Sequence, residues 1–253
     1  LPIFYQHSKA MQFWKQKIMQ STLISRSTYQ ISPLTNWVGS VINKYFGDSK
    51  IHAIDYKPTV STVWDTEKLR ANPIHLTLAE PTLFAKIKSI KGAGSIKIAE
   101  NFRSIPHQAD VITAFGVLEQ LYDPKTAIAQ VAKKCRKGGL FLMTTNTMSG
   151  FEYQILGHYS HRIVPPYRLN LLTIEAIKKL LVKEGFTIMH CSTPGKLDVQ
   201  IVANTAAHNS KVILPEFFNY LFARRDEKIL KSFQDFLQLS NLSSHLRIAA
   251  RKI

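Results

Sequence analysis

The sequence predicts an α/β domain: a seven-stranded, mainly parallel sheet with helices on both faces and helical additions at the N- and C-termini. Two observations predict it. From residue 50 to residue 203, short apolar or β-branched runs alternate with segments of helical period, the pattern of a parallel sheet built from strand–helix units. The chain also has 253 residues and is 45% hydrophobic, enough to bury one large core and too apolar for wholesale disorder.

The elements follow in order. Residues 1–49 read as a helical segment. Within 6–20, Met11, Phe13, Trp14 and Ile18 have amphipathic helical spacing. A second helix over 34–46 follows Ser32-Pro33, carries Trp37, Val38, Val41, Ile42 and Tyr45 on one side, and is broken by Gly47-Asp48. Residues 50–205 form the main domain. A strand at 50–54 precedes Asp55, and a helical stretch runs through Trp64 and Leu69. The strand at 74–79 ends at Glu80-Pro81, a helix covers 82–90, and a third strand covers 96–99. The fourth strand is 110–115. A helix over 124–135 stops at Lys137-Gly138-Gly139 before the strand at 140–145. After a loop over 146–170, a helix over 174–183 ends at Glu184-Gly185-Phe186, and strands at 187–192 and 199–203 complete the seven. Residues 206–253 read as a helical appendage, with two Phe-rich helices in 211–239 that pack on the domain or on a partner protein.

The net charge is +16. Such an excess admits nucleic acid or an anionic surface as a partner. It is spread along the whole chain, however, and neither an RNA-recognition signature nor zinc-finger spacing accompanies it. The densest cluster, Lys133-Lys134-Cys135-Arg136-Lys137, suits a helix C-terminus, where the macrodipole favours cations. No apolar run approaches the roughly 18 to 20 residues of a membrane helix. The N-terminal residues lack the basic and apolar regions of a signal peptide, and the chain starts at Leu1 as a fragment or a processed protein would. Two cysteines, Cys135 and Cys191, cannot build a disulfide framework, which points to a reducing, cytoplasmic compartment.

Open parallel sheets bind ligands outside the C-terminal ends of their strands. The residues to inspect are therefore 55–61, Glu80, 99–102, 115–120 and 144–146. The H-x-x-H pair His158 and His161 lies in the long loop with Tyr159, Tyr167 and Arg168. A histidine there suits a general base, since its unperturbed pKa lies near neutrality. No cysteine or carboxylate cluster accompanies the pair, so no metal is expected.

The run ADVITAFGVLEQLYDP at 109–124, KGGLFLMTT at 137–145 and Glu184-Gly185-Phe186 resemble the class I S-adenosylmethionine (SAM)-dependent methyltransferases. The order and spacing of these pieces resemble the ubiquinone-biosynthesis O-methyltransferase-like branch, as does PPYRLNLLT at 165–173. The resemblance covers about residues 50–203 and implies a Rossmann-like fold with SAM as cofactor. It implies that Asp55 orients the first loop or meets the SAM amino group. Glu80 would hold the ribose hydroxyls, because a carboxylate accepts both hydrogen bonds. Glu100 and Asn101 would face adenine, and Phe115, Gly116 and Glu119 would lie beside the methyl donor. Tyr167 and Arg168 would belong to the acceptor loop.

The departures from the family pattern fall at its glycine loop. The three glycine positions hold Lys57, Thr59 and Ser61, with Pro58 between them. Gln120 and Arg168 stand where the branch has histidines. Two functions follow: a methyltransferase acting on the oxygen or nitrogen of a small-molecule or lipid-linked acceptor, or a catalytically inactive protein of the same fold that serves as a binding or assembly module.

Overall fold

The computed structural model describes residues 31–58, 64, 74–80, 93–163, 165, 168–224 and 226–253. The expected helices over 6–20 and 82–90, most of the stretch through Leu69, and Thr59, Ser61 and Tyr167 lie outside the described residues.

Seven strands form one sheet: β1 (Ile51–Tyr56), β2 (Ile74–Ala79), β3 (Ala93–Ala99), β4 (Ala109–Phe115), β5 (Cys135–Asn146), β6 (Phe186–Ser192) and β7 (His245–Lys252). Their order across the sheet is β3-β2-β1-β4-β5-β7-β6. Strands β1 to β5 pair in parallel, and β7 runs antiparallel between β5 and β6. The strand order reverses between β1 and β4, the switch point at which such sheets open a crevice.

Helices cover both faces. Helix α1 (Ile31–Phe46) buries Leu34, Val38 and Ile42, spaced four apart, against Ala53, Leu76, Val111 and Leu142 on one face. On the other face α2 (Pro124–Lys134) and α4 (Ile174–Lys183) bury Ile128, Val131, Ile177 and Leu181 against Ile54, Ile112, Phe141 and Ile248. Both helices start with a side-chain cap. Asp123 accepts from the Thr126 N–H at 3.0 Å, and Thr173 accepts from the Ala176 N–H at 3.1 Å. A third core joins α3 (Phe151–Leu156), α5 (Asp198–His208), α6 (Glu216–Ala223) and α7 (Glu227–Leu239) around Phe151, Val199, Val202 and Leu237.

Residues 199–203 are helix, not strand. Val199 and Val202 are buried one turn apart, and Asp198 in the first turn is tied to Ser243 and Ser244. The seventh strand comes instead from His245–Lys252, inside the stretch read as a helical appendage. Its inner residues are buried on both sides of the sheet, so they show no clean alternation of apolar and polar positions. The loop over 146–170 contains α3 and a short turn of 3₁₀ helix, Gly157–Tyr159. The glycines at 138 and 139 end no helix. α2 stops at Lys134 and β5 begins at once, with the glycines within the strand beside a register irregularity.

Candidate functional site

The parallel strands end on one edge of the sheet. Strand β1 ends at Tyr56, and Lys57 follows in the left-handed region at φ 51°. Its N–H donates to the Ala79 carbonyl at 2.8 Å. Strand β2 ends at Ala79, and Glu80 follows at φ 50° with its N–H on the Ala99 carbonyl at 2.7 Å. Neighbouring strands thus close with the same turn, each reaching to the next strand. A side chain at such a φ costs about 1 to 3 kcal/mol and persists only where the surroundings hold it.

Those surroundings are mutual. Lys57 Nζ lies 2.9 Å from Glu80 Oε2, and the ammonium sits 5.7 Å from the centre of the Tyr56 ring. Glu80 Oε1 accepts from the Phe102 N–H at 2.9 Å. Phe102 in turn packs against Tyr56, with ring centroids 4.5 Å apart. Burial, with Glu80 adding to it, pushes the Tyr56 hydroxyl up to about 12, so it stays protonated.

A cleft of about 370 Å³ opens at these tips. Lys57, Glu80 and Asn101 line it from the strand ends, and Tyr122, Asp123 and Gln130 line it from α2 and the segment before it. Asn101 spends its side-chain oxygen on capping the next turn, accepting from the Arg103 N–H at 2.8 Å. Glu100 is exposed and does not line the cleft.

Asp55 lies below this surface, 2% exposed, on β1 opposite Thr113 of β4. Thr113 Oγ1 donates to its Oδ1 at 2.7 Å. Burial raises the carboxyl to about 7, against the opposing pull of that hydroxyl.

At the end of β4, Phe115 packs on the α1 side, and Gly116 turns at φ +66° with its N–H on the Thr144 carbonyl at 2.8 Å. A Cβ at Gly116 would meet none of the described residues within 4 Å. Glycine suits the positive φ of this turn without strain. Gln120 closes the turn by donating to the Gly116 carbonyl at 2.7 Å.

Glu119 faces inward and is 5% exposed. Its carboxylate accepts from Thr145 Oγ1, from the Asn146 N–H and from Asn146 Nδ2, each at 2.7 Å, and Arg168 Nε lies 3.3 Å away. Asn146 Oδ1 accepts from Arg162 Nη1 at 2.7 Å, and Arg162 Nε donates to the fully buried Glu152 at 2.6 Å. This chain of carboxylates and guanidiniums fastens Arg162 and Arg168 to the tips of β4 and β5. The Glu119 carbonyl extends it by accepting from the N–H groups of Leu169 and Asn170. His158 and His161 lie outside it. Both are exposed, His158 lies against Tyr159 with centroids 3.9 Å apart and the rings tilted by 41°, and neither lines the cleft. Among the described residues no group of three His, Cys, Asp or Glu side chains could hold a metal ion.

Sequence reasoning did not single out Thr113, Glu152, Arg162 or Asp198. Their partners are 8 to 58 residues away in sequence, so local pattern carried no signal for them. Asn146 fell in a segment selected for inspection, but only the structure joins it to Glu119.

Residues 18–191, more than half of the chain, match the family model described as a methyltransferase domain. No curated protein matches the chain in sequence. Among solved structures, the plantazolicin methyltransferase in complex with a desmethyl plantazolicin analogue and S-adenosylhomocysteine (SAH) is 14% identical. The match covers 98% of this chain and 92% of that one, with a TM-score of 0.55. The geranyl diphosphate C-methyltransferase from Streptomyces coelicolor A3(2), in complex with Mg2+, geranyl diphosphate and SAH, is 9% identical over 85% of this chain and 76% of that one, at 0.52. A mycolic acid cyclopropane synthase complexed with SAH is 12% identical over 84% and 83%, also at 0.52.

Proposed function

The chain belongs to the methyltransferase-domain family, and on that premise we propose that it binds SAM in the cleft at Glu80 and methylates a small-molecule or lipid-linked acceptor on oxygen or nitrogen. Within the family we read it as akin to the ubiquinone-biosynthesis O-methyltransferase-like branch, from the runs at 109–124 and 165–173. The observation that carries the reading is Glu80. A carboxylate stands on the wall of a cleft at the strand tips, beside the switch point of the sheet.

The residues present fit a nucleoside cofactor. Glu80 is an acceptor for ribose hydroxyls, and Asn101 lies next to it in the cleft. Gly116 does not line the cleft, but no described residue would meet a Cβ there, which fits close approach of a ligand to the backbone. SAM, when bound, supplies an electrophilic methyl group on its sulfonium. The chain's own work is positional. The Glu119–Asn146–Arg162–Glu152 bonds tie Arg162 to the tips of β4 and β5, and catalysis rests on proximity and orientation. A small-molecule acceptor is in keeping with two solved structures of the same fold, a geranyl diphosphate C-methyltransferase and a plantazolicin methyltransferase; the choice of oxygen or nitrogen rests on the resemblance of the sequence runs.

A second reading, a binding or assembly module without SAM, is favoured by one observation: Lys57 already engages Glu80. Thermal unfolding with SAM and with SAH separates the two. A ligand at about 100 times its dissociation constant stabilises the native state by roughly 2.7 kcal/mol. For a chain of this length that raises the midpoint by roughly 5 to 10 °C. The methyltransferase reading predicts a shift with both ligands; no shift at millimolar ligand supports the module.

A further inference from the structure

Lys57 stands at the first of the three positions where the family carries glycine, and it keeps a glycine-like backbone at φ 51°. Only the side chain is added, and it is directed into the cleft. Its ammonium pairs with Glu80 Oε2 at 2.9 Å and lies over the Tyr56 ring. The other carboxylate oxygen is engaged by the Phe102 N–H. The Lys57 side chain is 32% exposed and that of Glu80 26%, so the pair sits at the cleft mouth, within reach of solvent and salt.

We propose that Lys57 is an internal competitor for the cofactor site: its ammonium takes the edge of Glu80 that a ribose would use, and ligand binding requires this ion pair to open. The inference deepens the proposed function and rests on it. The competitor is a tethered charge, so its hold on Glu80 weakens as salt screens the pair. A ribose is neutral and does not lose affinity for Glu80 by the same route. Salt therefore favours the ligand over the lysine. Nothing in the turn demands the lysine itself, because glycine adopts this φ without strain.

The test is calorimetric titration of the full chain with SAH at low and high salt, for the wild type, Lys57→Gly and Lys57→Met. Lys57→Met keeps the length and removes the charge; Lys57→Gly removes both. An exposed ion pair is worth up to about 1 kcal/mol, which corresponds to about fivefold in affinity. Both variants are expected to bind SAH more tightly than the wild type at low salt, by up to about fivefold. Raising the salt is expected to tighten binding to the wild type alone. Equal affinity in all three proteins overturns the competitor role and leaves the cofactor site standing. No binding by any of the three, each shown to be folded by circular dichroism, overturns the cofactor reading and the competitor role with it.

Discussion

Glu119 grips Asn146 at two points. Its Oε2 accepts from the Asn146 backbone N–H and its Oε1 from the Asn146 side-chain amide, both at 2.7 Å. This joins the turn after β4 to the last residue of β5. The carboxylate is buried, and a third bond from Thr145 and the Arg168 guanidinium surround it. A buried charge held by several donors organises the strand tips rather than facing solvent.

Glu119→Ala leaves Arg168 and three hydrogen-bond donors without this acceptor. Breaking a buried charged pair from one side costs about 3 to 5 kcal/mol. We expect a loss of that size in urea unfolding, with a smaller loss for Arg168→Ala, which leaves the other three donors on Glu119. A cost below about 1 kcal/mol for Glu119→Ala, within the range of a surface substitution, would contradict the role given to it.

Two buried groups oppose each other in pH. Burial raises Asp55 from 3.8 to about 7, so the folded state holds a proton that the unfolded chain releases, and Asp55 costs stability as pH rises from about 4 to about 7. Burial, with Arg247 nearby, lowers His245 from 6.5 to about 3. The unfolded chain then binds a proton that the folded state refuses, and His245 costs stability as pH falls from about 6.5 to about 3. The two slopes have opposite sign over the shared window, about pH 4 to 6.5. Asp55→Asn is expected to unmask stability that rises with pH there, and His245→Gln stability that falls with it. Chemical denaturation of both variants at intervals across the window checks the pair; a parallel pH dependence in the two contradicts it.

Gly150 has a packing reason to be glycine. A Cβ there would lie 2.2 Å from Ser244 Cα and 2.5 Å from its backbone nitrogen, at the segment leading into β7. Backbone cannot yield as a flexible side chain does. Gly150→Ala is expected to destabilise by about 3 kcal/mol or more, the upper end of overpacking costs. Thermal unfolding within 2 °C of the wild type would show that α3 and the Ser244 segment are less tightly apposed than the structure has them.

The parallel half of the sheet was legible because β1, β2, β4 and β5 are rich in apolar and β-branched residues and most of their positions are buried on both faces. β7 was hidden by its charges. Arg247, Arg251 and Lys252 interrupt the run HLRIAARK, and each lies over an aromatic ring, of Trp37, Tyr45 and Phe186 respectively. The rings come from α1 and β6, so no local pattern could announce that a cationic segment inserts between β5 and β6. In the candidate site, Glu80 and Gly116 were found by their place after a strand. The pairing of Lys57 with Glu80 was not, because it depends on two left-handed turns on adjacent strands facing each other.

Glu80 is proposed to anchor the cofactor in the cleft, and calorimetric titration of SAH into the wild type and Glu80→Ala reads that role at its source. Loss of a hydrogen bond to a charged group is worth about 1.5 to 3 kcal/mol, roughly tenfold or more in affinity. Measurable binding by the wild type and at least that loss in a folded Glu80→Ala variant are expected; the same dissociation constant in both proteins would refute the anchor.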